Sequence, residues 1–206
     1  MAEKKGVKSK QWIVEQSVYV FNTYGLDITL NQLANHLNIS RGRISHFFAT
    51  RDSIFVAMGE AYQAKLADIR NEFIAEHPNY TFPDLFVLFG KIMDNQYVYR
   101  CTVMYSASSS NSRDEIIKHI NETYRRSKLF LRALAEKLVT NKSLKQEILD
   151  ESNYPVFEFQ FINLFTSWVI SKEIYYPEQT YPEMKPLFLE GLFRLFEPYL
   201  LDKSSK

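Results

Sequence analysis

The chain has 206 residues and a net charge of +1, with 46% hydrophobic and 24% charged residues, a balance that argues against disorder. Only 6 Gly and 7 Pro occur, which disfavours a turn-rich all-β fold, and the single cysteine, Cys101, excludes an internal disulfide and fits a reducing cytoplasm. The longest apolar stretch of the C-terminal half, residues 159–171, is shorter than the roughly 20 residues of a membrane span. No apolar run of a signal peptide follows the first lysines. We therefore expect a cytoplasmic protein without a membrane partner.

Charge is distributed unevenly along the chain. Residues 1–51 hold seven Lys or Arg against three Asp or Glu, whereas residues 52–206 hold 18 against 21. A basic N-terminal segment followed by a mildly acidic remainder is typical of an N-terminal domain that binds a polyanion. The excess of positive charge in this segment amounts to only a few residues. Four lysines lie among the first ten residues. They are either an arm that follows a nucleic-acid backbone or a solvated tail.

Apolar residues recur with helical spacing along almost the whole chain, which predicts an all-α fold of about nine helices. The N-terminal helices are bounded by local signals: Gly25 as a C-cap, a capping box of Thr29 with Gln32, and Ser40 and Thr50 as N-caps. A capping box at Ser112 and another at Thr180 open later helices. The expected helices cover residues 11–24, 30–37, 41–48, 51–76, 82–94, 96–107, 112–140, 153–176 and 180–201, with a minor helix at 143–150.

The second and third of these helices have the anatomy of a helix-turn-helix. Leu33 supplies a core contact, and the small Ala34 lies where the two helices cross. Asn38 lies where the backbone must turn sharply, and Asn tolerates a left-handed conformation better than most residues. Ile44 and Phe47 are expected to face inward from the third helix.

The opposite side of the third helix is polar. It carries Arg41, Arg43, Ser45 and His46. Arginine pairs bidentately with guanine, and serine contacts several bases or a phosphate, so this side suits a DNA major groove. Taken alone, the arginines fit a solvated surface helix as well, and His46 fits a packed or surface histidine.

Over residues 11–55 the chain resembles the tetracycline-repressor-like (TetR/AcrR) bacterial transcription regulators. The resemblance is carried by Gly25, Thr29, Ser40-Arg41-Gly42 and Phe48-x-x-Arg51-Asp52. Arg43-Ile44-Ser45 departs from the Thr-Leu-Tyr that is common in the family, so the base preference of relatives does not transfer. The resemblance implies that Arg51 grips a phosphate at its helix N-terminus. The expected DNA-binding residues are Thr29, Ser40, Arg41, Gly42, Arg43, Ser45, His46 and Arg51.

The resemblance also implies a cavity for a small-molecule effector in a C-terminal domain. Four candidate residues are expected to share one face of the predicted helix 96–107: Tyr97, Cys101, Met104 and Tyr105. Arg100 would balance the charge of an acidic effector. Tyr124 is a further candidate on the long helix 112–140. A plain core stripe and a solvent-facing charge are the competing interpretations. The candidate ligand-binding residues are Tyr97, Arg100, Cys101, Met104, Tyr105 and Tyr124.

The last two long helices are apolar over too wide an arc for one packed face. A four-helix interface with a second copy of the chain explains this pattern, and the resemblance implies the same arrangement. Deep core within one chain is the alternative. The expected interface residues are Phe161, Phe165, Trp168, Phe188, Leu192, Phe193 and Phe196.

Motifs of catalysis are missing from the sequence: it has no Gly-rich phosphate loop, no HExxH, no GxSxG and no His/Cys set with metal-ligand spacing. We expect no catalytic residues, no cofactor and no metal. The expected organisation is a DNA-binding head at residues 1–50 and a regulatory and dimerisation domain at 51–206. The chain would act as a homodimeric repressor on a pseudo-palindromic operator in double-stranded DNA, released by a small-molecule effector. Two alternatives stay open: an all-helical small-molecule-binding or interaction protein with a vestigial head, and an enzyme with an aromatic-lined helical pocket.

Overall fold

The computed structural model describes residues 2–108 and 114–201 of the chain. Within these ranges the fold is all-α, as the sequence predicts, and has no β-strand. None of the helices in this part of the chain has the length and apolar character needed to cross a membrane. The helices are α1 (Ala2–Tyr24), α2 (Leu30–His36), α3 (Arg41–Phe47), α4 (Arg51–Glu76), α5 (Leu85–Val98), α6 (Arg100–Ser108), α7 (Asp114–Thr140), α8 (Tyr154–Tyr175) and α9 (Tyr181–Arg194), with 3-10 turns at Phe82–Asp84, Gln146–Leu149 and Glu197–Tyr199.

The predicted capping signals are present at the ends of the N-terminal helices. Gly25 follows α1 with a φ of +95°, a conformation that residues with a side chain rarely adopt. The Gln32 N–H donates to Thr29 Oγ1 at 3.2 Å, and the Thr29 N–H donates to Gln32 Oε1 at 2.8 Å, which completes the capping box. Ser40 Oγ accepts a hydrogen bond from the Arg43 N–H at 3.2 Å and so caps α3.

Several helix boundaries differ from the expected ones. The first helix begins at Ala2 rather than at residue 11, and the last ends at Arg194, before a 3-10 turn, rather than at residue 201. The predicted helix 96–107 is wrong, because the chain turns at Tyr99 and separates α5 from α6. The capping box predicted at Ser112 lies outside the described residues.

The chain forms two compact units, one from residues 1–65 and 98–120 and the other from 66–97 and 121–206. Helices α4 and α7 therefore contribute to both. The first unit contains the helix-turn-helix together with the beginning of α4, the whole of α6 and the beginning of α7. The first compact unit is larger than the DNA-binding domain expected at residues 1–50. The domain boundary after residue 50 stays a prediction.

The core of the first unit is assembled around the helix-turn-helix. Asn38 has a φ of +52°, as the predicted sharp turn requires, and the Ile39 N–H donates to the Ala34 carbonyl at 3.0 Å across it. Apolar side chains from α1 to α4 and α6 fill the space beneath α2 and α3. The buried members include Ile13, Phe21, Leu33, Ile44, Phe48, Ile54, Phe55, Met58, Cys101 and Tyr105.

The core of the second unit is mainly aromatic. Phe89 of α5 lies with its ring centroid 5.3 Å from that of Phe161 on α8 and 5.9 Å from that of Phe193 on α9. Trp168 is fully buried, and its indole N–H donates to Gln96 Oε1. Aromatic pairs at these separations stabilise a core beyond the area that they bury.

This packing within one chain involves the residues that the sequence suggests for the dimer interface, and their place in an interface stays a prediction. Six of the seven residues named from the sequence expose no more than 9% of their surface in a single chain, so they form part of its core. The seventh is half-buried. Helix α8 is apolar on several sides because α5 and α9 pack against it within the same chain. The six buried residues are Phe161, Trp168, Phe188, Leu192, Phe193 and Phe196, and the half-buried one is Phe165.

Candidate nucleic-acid interface

Helix α3 has one buried side and one exposed side. Ile44 is fully buried, and Phe48, which ends the helix, exposes 2% of its surface. These two residues fix the rotation of α3 about its own axis. The polar side is thereby held at the surface of the first unit: Gly42, Arg43, Ser45 and His46 are exposed, and Arg41 is half-buried.

Hydrogen bonds orient the polar side chains of α3. Arg41 Nη1 donates to Ser45 Oγ, and the Ser45 hydroxyl is also within 3.0 Å of the Arg41 carbonyl. Arg43 points the other way, and its Nη2 donates to Ser9 Oγ of α1 at 3.0 Å. The His46 ring meets Phe47 edge-on, with the centroids 4.7 Å apart. Guanidinium, hydroxyl and imidazole groups on one short exposed helix offer donors to the acceptor atoms of phosphates and purine edges.

Thr29 and Ser40 lie at the N-termini of α2 and α3. Both are exposed, and both hydroxyls are engaged in capping their own helices. A hydroxyl oxygen has two acceptor lone pairs, of which each cap uses one. Their role as DNA contacts stays a prediction, whereas their role in starting the two helices is observed.

Arg51 has partners inside the first unit. Its Nη1 donates to the Leu26 carbonyl at 3.1 Å, and its guanidinium carbon lies 5.5 Å from the centre of the Tyr105 ring. The neighbouring Asp52 accepts a hydrogen bond from the Tyr105 hydroxyl at 2.6 Å. Burial, followed by this hydrogen bond, raises the pKa of the Tyr105 phenol. In this structure Arg51 therefore links the turn after α1 to α6, and a phosphate contact stays a prediction.

The six candidate ligand-binding residues divide between the two units. Tyr97 and Tyr124 belong to the second unit, where the Tyr97 ring stacks on Tyr181 at 4.2 Å and Tyr124 is 42% exposed. Arg100 and Cys101 belong to the first, together with the remaining two, Met104 and Tyr105.

Cys101 and Tyr105 are part of the core under the helix-turn-helix. The thiol of Cys101 donates to the Val18 carbonyl at 3.9 Å, and burial raises its pKa to about 12. The Tyr105 ring stacks face to face on Phe55, with centroids 3.6 Å apart. The turn at Tyr99 interrupts the helical face that suggested these residues, because it separates Tyr97 from the three that lie on α6. Their contact with a ligand stays a prediction without that support.

Sequence reasoning missed Asn22, which lies near the end of α1. Its Nδ2 donates to the Val98 carbonyl at 2.7 Å, and its Oδ1 accepts from the Cys101 N–H at 3.0 Å. The Arg100 guanidinium donates to the Asn22 carbonyl at 3.4 Å. One side chain thus binds a carbonyl at the end of α5 and an N–H at the beginning of α6. The only signal in the sequence is an amide beside the apolar Phe21, near the end of the first predicted helix.

Comparison with solved structures finds the same architecture in transcriptional regulators. A TetR-family regulator from Marinobacter aquaeolei VT8 superposes with a TM-score of 0.79 at 19% identity, over 94% of this chain and 92% of the other. The SmeT–triclosan complex matches with a TM-score of 0.65 at 12% identity, over 95% and 93%. A regulator of the AcrR family from Aquifex aeolicus VF5 matches with 0.57 at 16% identity, over 91% and 99%. No protein-family model and no curated protein matches the sequence. The chain therefore has the fold of the TetR-type transcriptional regulators.

Proposed function

We propose that the chain is a DNA-binding transcriptional regulator and that α3 is its recognition helix. The observation that carries this proposal is the two-sided α3. Ile44 and Phe48 anchor it in the core, while Arg43, Ser45 and His46 are exposed on a helix that starts at the surface. In a helix-turn-helix, the second helix lies in the major groove with its N-terminal residues at the base edges. Arg41 lies in the first turn and is the residue that we expect to pair with guanine.

The proposal includes a homodimer that reads two half-sites of a pseudo-palindromic operator. Support comes from exposed apolar side chains on the two last helices rather than from the buried aromatics. Val156 and Phe159 on α8 are 56% and 65% exposed, and Leu187 on α9 is 57% exposed. Residues 156 and 159 are one helical turn apart, so they lie on one side of α8. A second copy of the chain would remove these side chains from water.

Repression with release by a small molecule completes the proposal. A dimer bound at an operator obstructs the polymerase, so repression is the simpler output. An effector that binds one dimer geometry better than the other shifts the population away from the DNA-binding form. SmeT, which shares the fold, is seen in complex with triclosan. This supports an effector for the present chain without naming its chemistry.

Selection of bound fragments from a random DNA pool tests the function directly. The expected result is a two-half-site sequence whose binding weakens as salt rises, because phosphate contacts release counterions. The half-sites should be separated by one helical turn of DNA, about 10 base pairs, or a multiple of it. Recovery of no enriched sequence, with no salt-dependent binding to any duplex, contradicts the proposal. It would favour an all-helical ligand-binding or interaction protein with a vestigial head.

A further inference from the structure

Two arginines of α3 extend to opposite sides of the helix. Arg41 and Arg43 are two positions apart, which places them about 200° apart around an α-helix with 3.6 residues per turn. Arg41 bonds to Ser45 within α3, whereas Arg43 Nη2 donates to Ser9 Oγ of α1 at 3.0 Å. The direction of Arg43 therefore depends on a second helix, and the interface proposed above does not include Ser9.

Packing in the core of the first unit holds Ser9 beside α3. Ser9 precedes Ile13 by four positions, so the two residues share one side of α1. Ile13 is fully buried in the core cluster that also contains Ile44 of α3. Lys10 Nζ lies 5.8 Å from the centre of the ring of Phe48, which directly follows the end of α3. These contacts fix the position of Ser9 relative to α3.

The hydrogen bond between Ser9 and Arg43 directs a positive charge without cancelling it. Ser9 is half-buried and Arg43 is exposed, so the guanidinium remains within reach of a ligand in solution. The partner is a neutral hydroxyl, whereas a carboxylate would neutralise the charge. A guanidinium has five N–H donors, and the bond to Ser9 engages one of its nitrogens. Donors therefore stay available to the oxygens of a phosphate.

We propose that Ser9 is a positioning residue of the DNA interface, which holds Arg43 on the side of α3 that faces α1, where the guanidinium binds a backbone phosphate. The inference rests on the proposed function, because it takes α3 to lie in the major groove with Arg41 at a base edge. A guanidinium that is already held loses less conformational freedom on binding than one that turns freely. The bond to Ser9 also keeps Arg43 away from the base that Arg41 reads, so the two arginines have separate roles.

The test uses the full chain and the operator recovered from the random pool. Ser9→Ala removes the hydroxyl and leaves every charge in place, so Arg43 is no longer held. Affinity should fall by roughly 2- to 10-fold, which corresponds to the cost of immobilising one long side chain. Since a phosphate contact carries no sequence information, the same factor should apply to the operator and to non-specific duplex DNA. Ser9→Thr keeps the hydroxyl and should bind like the wild type.

A double-mutant cycle shows whether Ser9 acts through Arg43. Arg43→Ala should weaken binding and lower the log–log salt slope by about 0.9, the value of one phosphate contact. In this background Ser9→Ala should have no further effect on affinity, because no guanidinium is left to hold. An equal loss of affinity in both backgrounds overturns the proposal, since it shows that Ser9 either contacts DNA itself or only supports the fold.

Ser45 provides the comparison within α3. Its hydroxyl holds Arg41, which we expect to pair with guanine, so Ser45→Ala should weaken binding to the operator more than binding to non-specific duplex DNA. A loss in Ser9→Ala that is confined to the operator overturns the proposal, because it would make Arg43 a base contact. Gln11→Ala removes an exposed polar side chain of α1 and should leave both affinity and salt slope at the wild-type values.

The remaining outcomes distinguish this role of Ser9 from the proposed function. A wild type that binds no DNA overturns both. A wild type that binds its operator, together with an Arg43→Ala variant of unchanged affinity and salt slope, overturns only the role of Ser9. Chemical denaturation of Ser9→Ala should give a free energy of unfolding close to that of the wild type, because the bond lies at the surface of the first unit. A fall in affinity that merely follows a loss of folded protein overturns the positioning role as well.

Discussion

Arg41 and Arg43 lie two positions apart on α3 and have different surroundings. Arg41 is half-buried and paired with Ser45, one turn further along the same helix. Arg43 is exposed and extends towards Ser9 of α1. A side chain held by a neighbour loses less conformational freedom when it binds, which favours directed pairing with one base. Under the proposed function, the exposed Arg43 is better placed for a phosphate.

Arg41→Ala should therefore relax sequence preference at one guanine-containing position of each half-site. The expected loss is about 1–3 kcal/mol at that position, with a smaller effect on non-specific duplex DNA. Competition binding with single-base operator variants measures it. Arg125→Ala on α7 serves as the control for an exposed arginine. Equal weakening on all sequences would make Arg41 a phosphate contact.

Tyr105→Phe should destabilise the first unit, because it removes the hydroxyl that donates to Asp52. A hydrogen bond to a charged group contributes about 1.5–3 kcal/mol, measurable by chemical denaturation at neutral pH. The pKa of the folded-state phenol is raised, so the protonated phenol is the form that the fold stabilises. The contribution of the protonated phenol to the free energy of unfolding is complete below the ordinary tyrosine pKa of about 10. It is lost as the pH rises through the raised pKa of the folded state. A stability difference that instead grows above pH 10 contradicts this assignment.

At the scale of elements, the junction of α5 and α6 is held by α1. Asn22 bonds to the last carbonyl of α5 and to a free N–H of α6, and Cys101 lies against Val18 of α1. A helix end that is buried without partners is costly. The amide of Asn22 supplies a partner on each side of the break at Tyr99, which lowers the cost of interrupting the helix there.

Asn22→Ala should loosen α6 from α1 and expose the only thiol of the chain. Cys101 is buried, and its pKa of about 12 keeps it protonated, so a thiol reagent at pH 8 should label the folded wild type very slowly. Leaving two backbone groups unpaired costs about 1–3 kcal/mol for each group. Labelling through local opening should accelerate accordingly. Gln11→Ala, which removes an exposed side chain of the same helix, should label like the wild type.

The sequence predicts those elements whose causes are local. Gly25, Thr29, Asn38 and Ser40 end or begin helices through contacts within about four residues, and all four behave as expected. The break at Tyr99 depends on a side chain far away on α1, so no local pattern marks it. The sequence predicts the exposed side of α3 from one helical period, but it does not predict the contact with Ser9, which needs the packing of α1.

At the scale of the whole molecule, the proposed dimer depends on which apolar residues remain outside once each chain is folded. Aromatic content alone does not distinguish a core from an interface, because both bury the same side chains. Trp168 is fully buried, whereas Phe159 on the same helix is 65% exposed. Substitutions at these two positions should therefore have different consequences, although a sequence pattern treats them alike.

Phe159→Glu should dissociate the dimer while leaving the fold intact. A charge buried in the interface would be desolvated once in each subunit, which costs several kcal/mol, whereas the same charge is hydrated on a free chain. Sedimentation at micromolar concentration should change from dimer to monomer, with unchanged helical circular dichroism and weaker operator binding. Trp168→Glu should unfold the second unit.

Gln160→Glu is the matched control for that experiment, since it adds a charge at the next exposed position of α8 without removing an apolar side chain. It should remain a dimer. A wild type that sediments as a monomer at high concentration would contradict the dimer, and with it the reading of paired half-sites. A dimeric Phe159→Glu variant would move the interface away from this side of α8.

The first unit is assembled from two separate stretches of chain, and this has a consequence for the order in which the protein matures during translation. Val98, Cys101 and Tyr105 are synthesised only after α1, α2 and α3 have left the ribosome. At that point Asn22 therefore lacks its contact with Val98, and the core lacks Cys101 and Tyr105. Domains usually fold in the order in which they are made. Here the first unit cannot complete its core until α6 has been synthesised. We expect a nascent chain interrupted before α6 to carry the helix-turn-helix without a complete core, which would weaken the DNA binding that we propose for the finished protein.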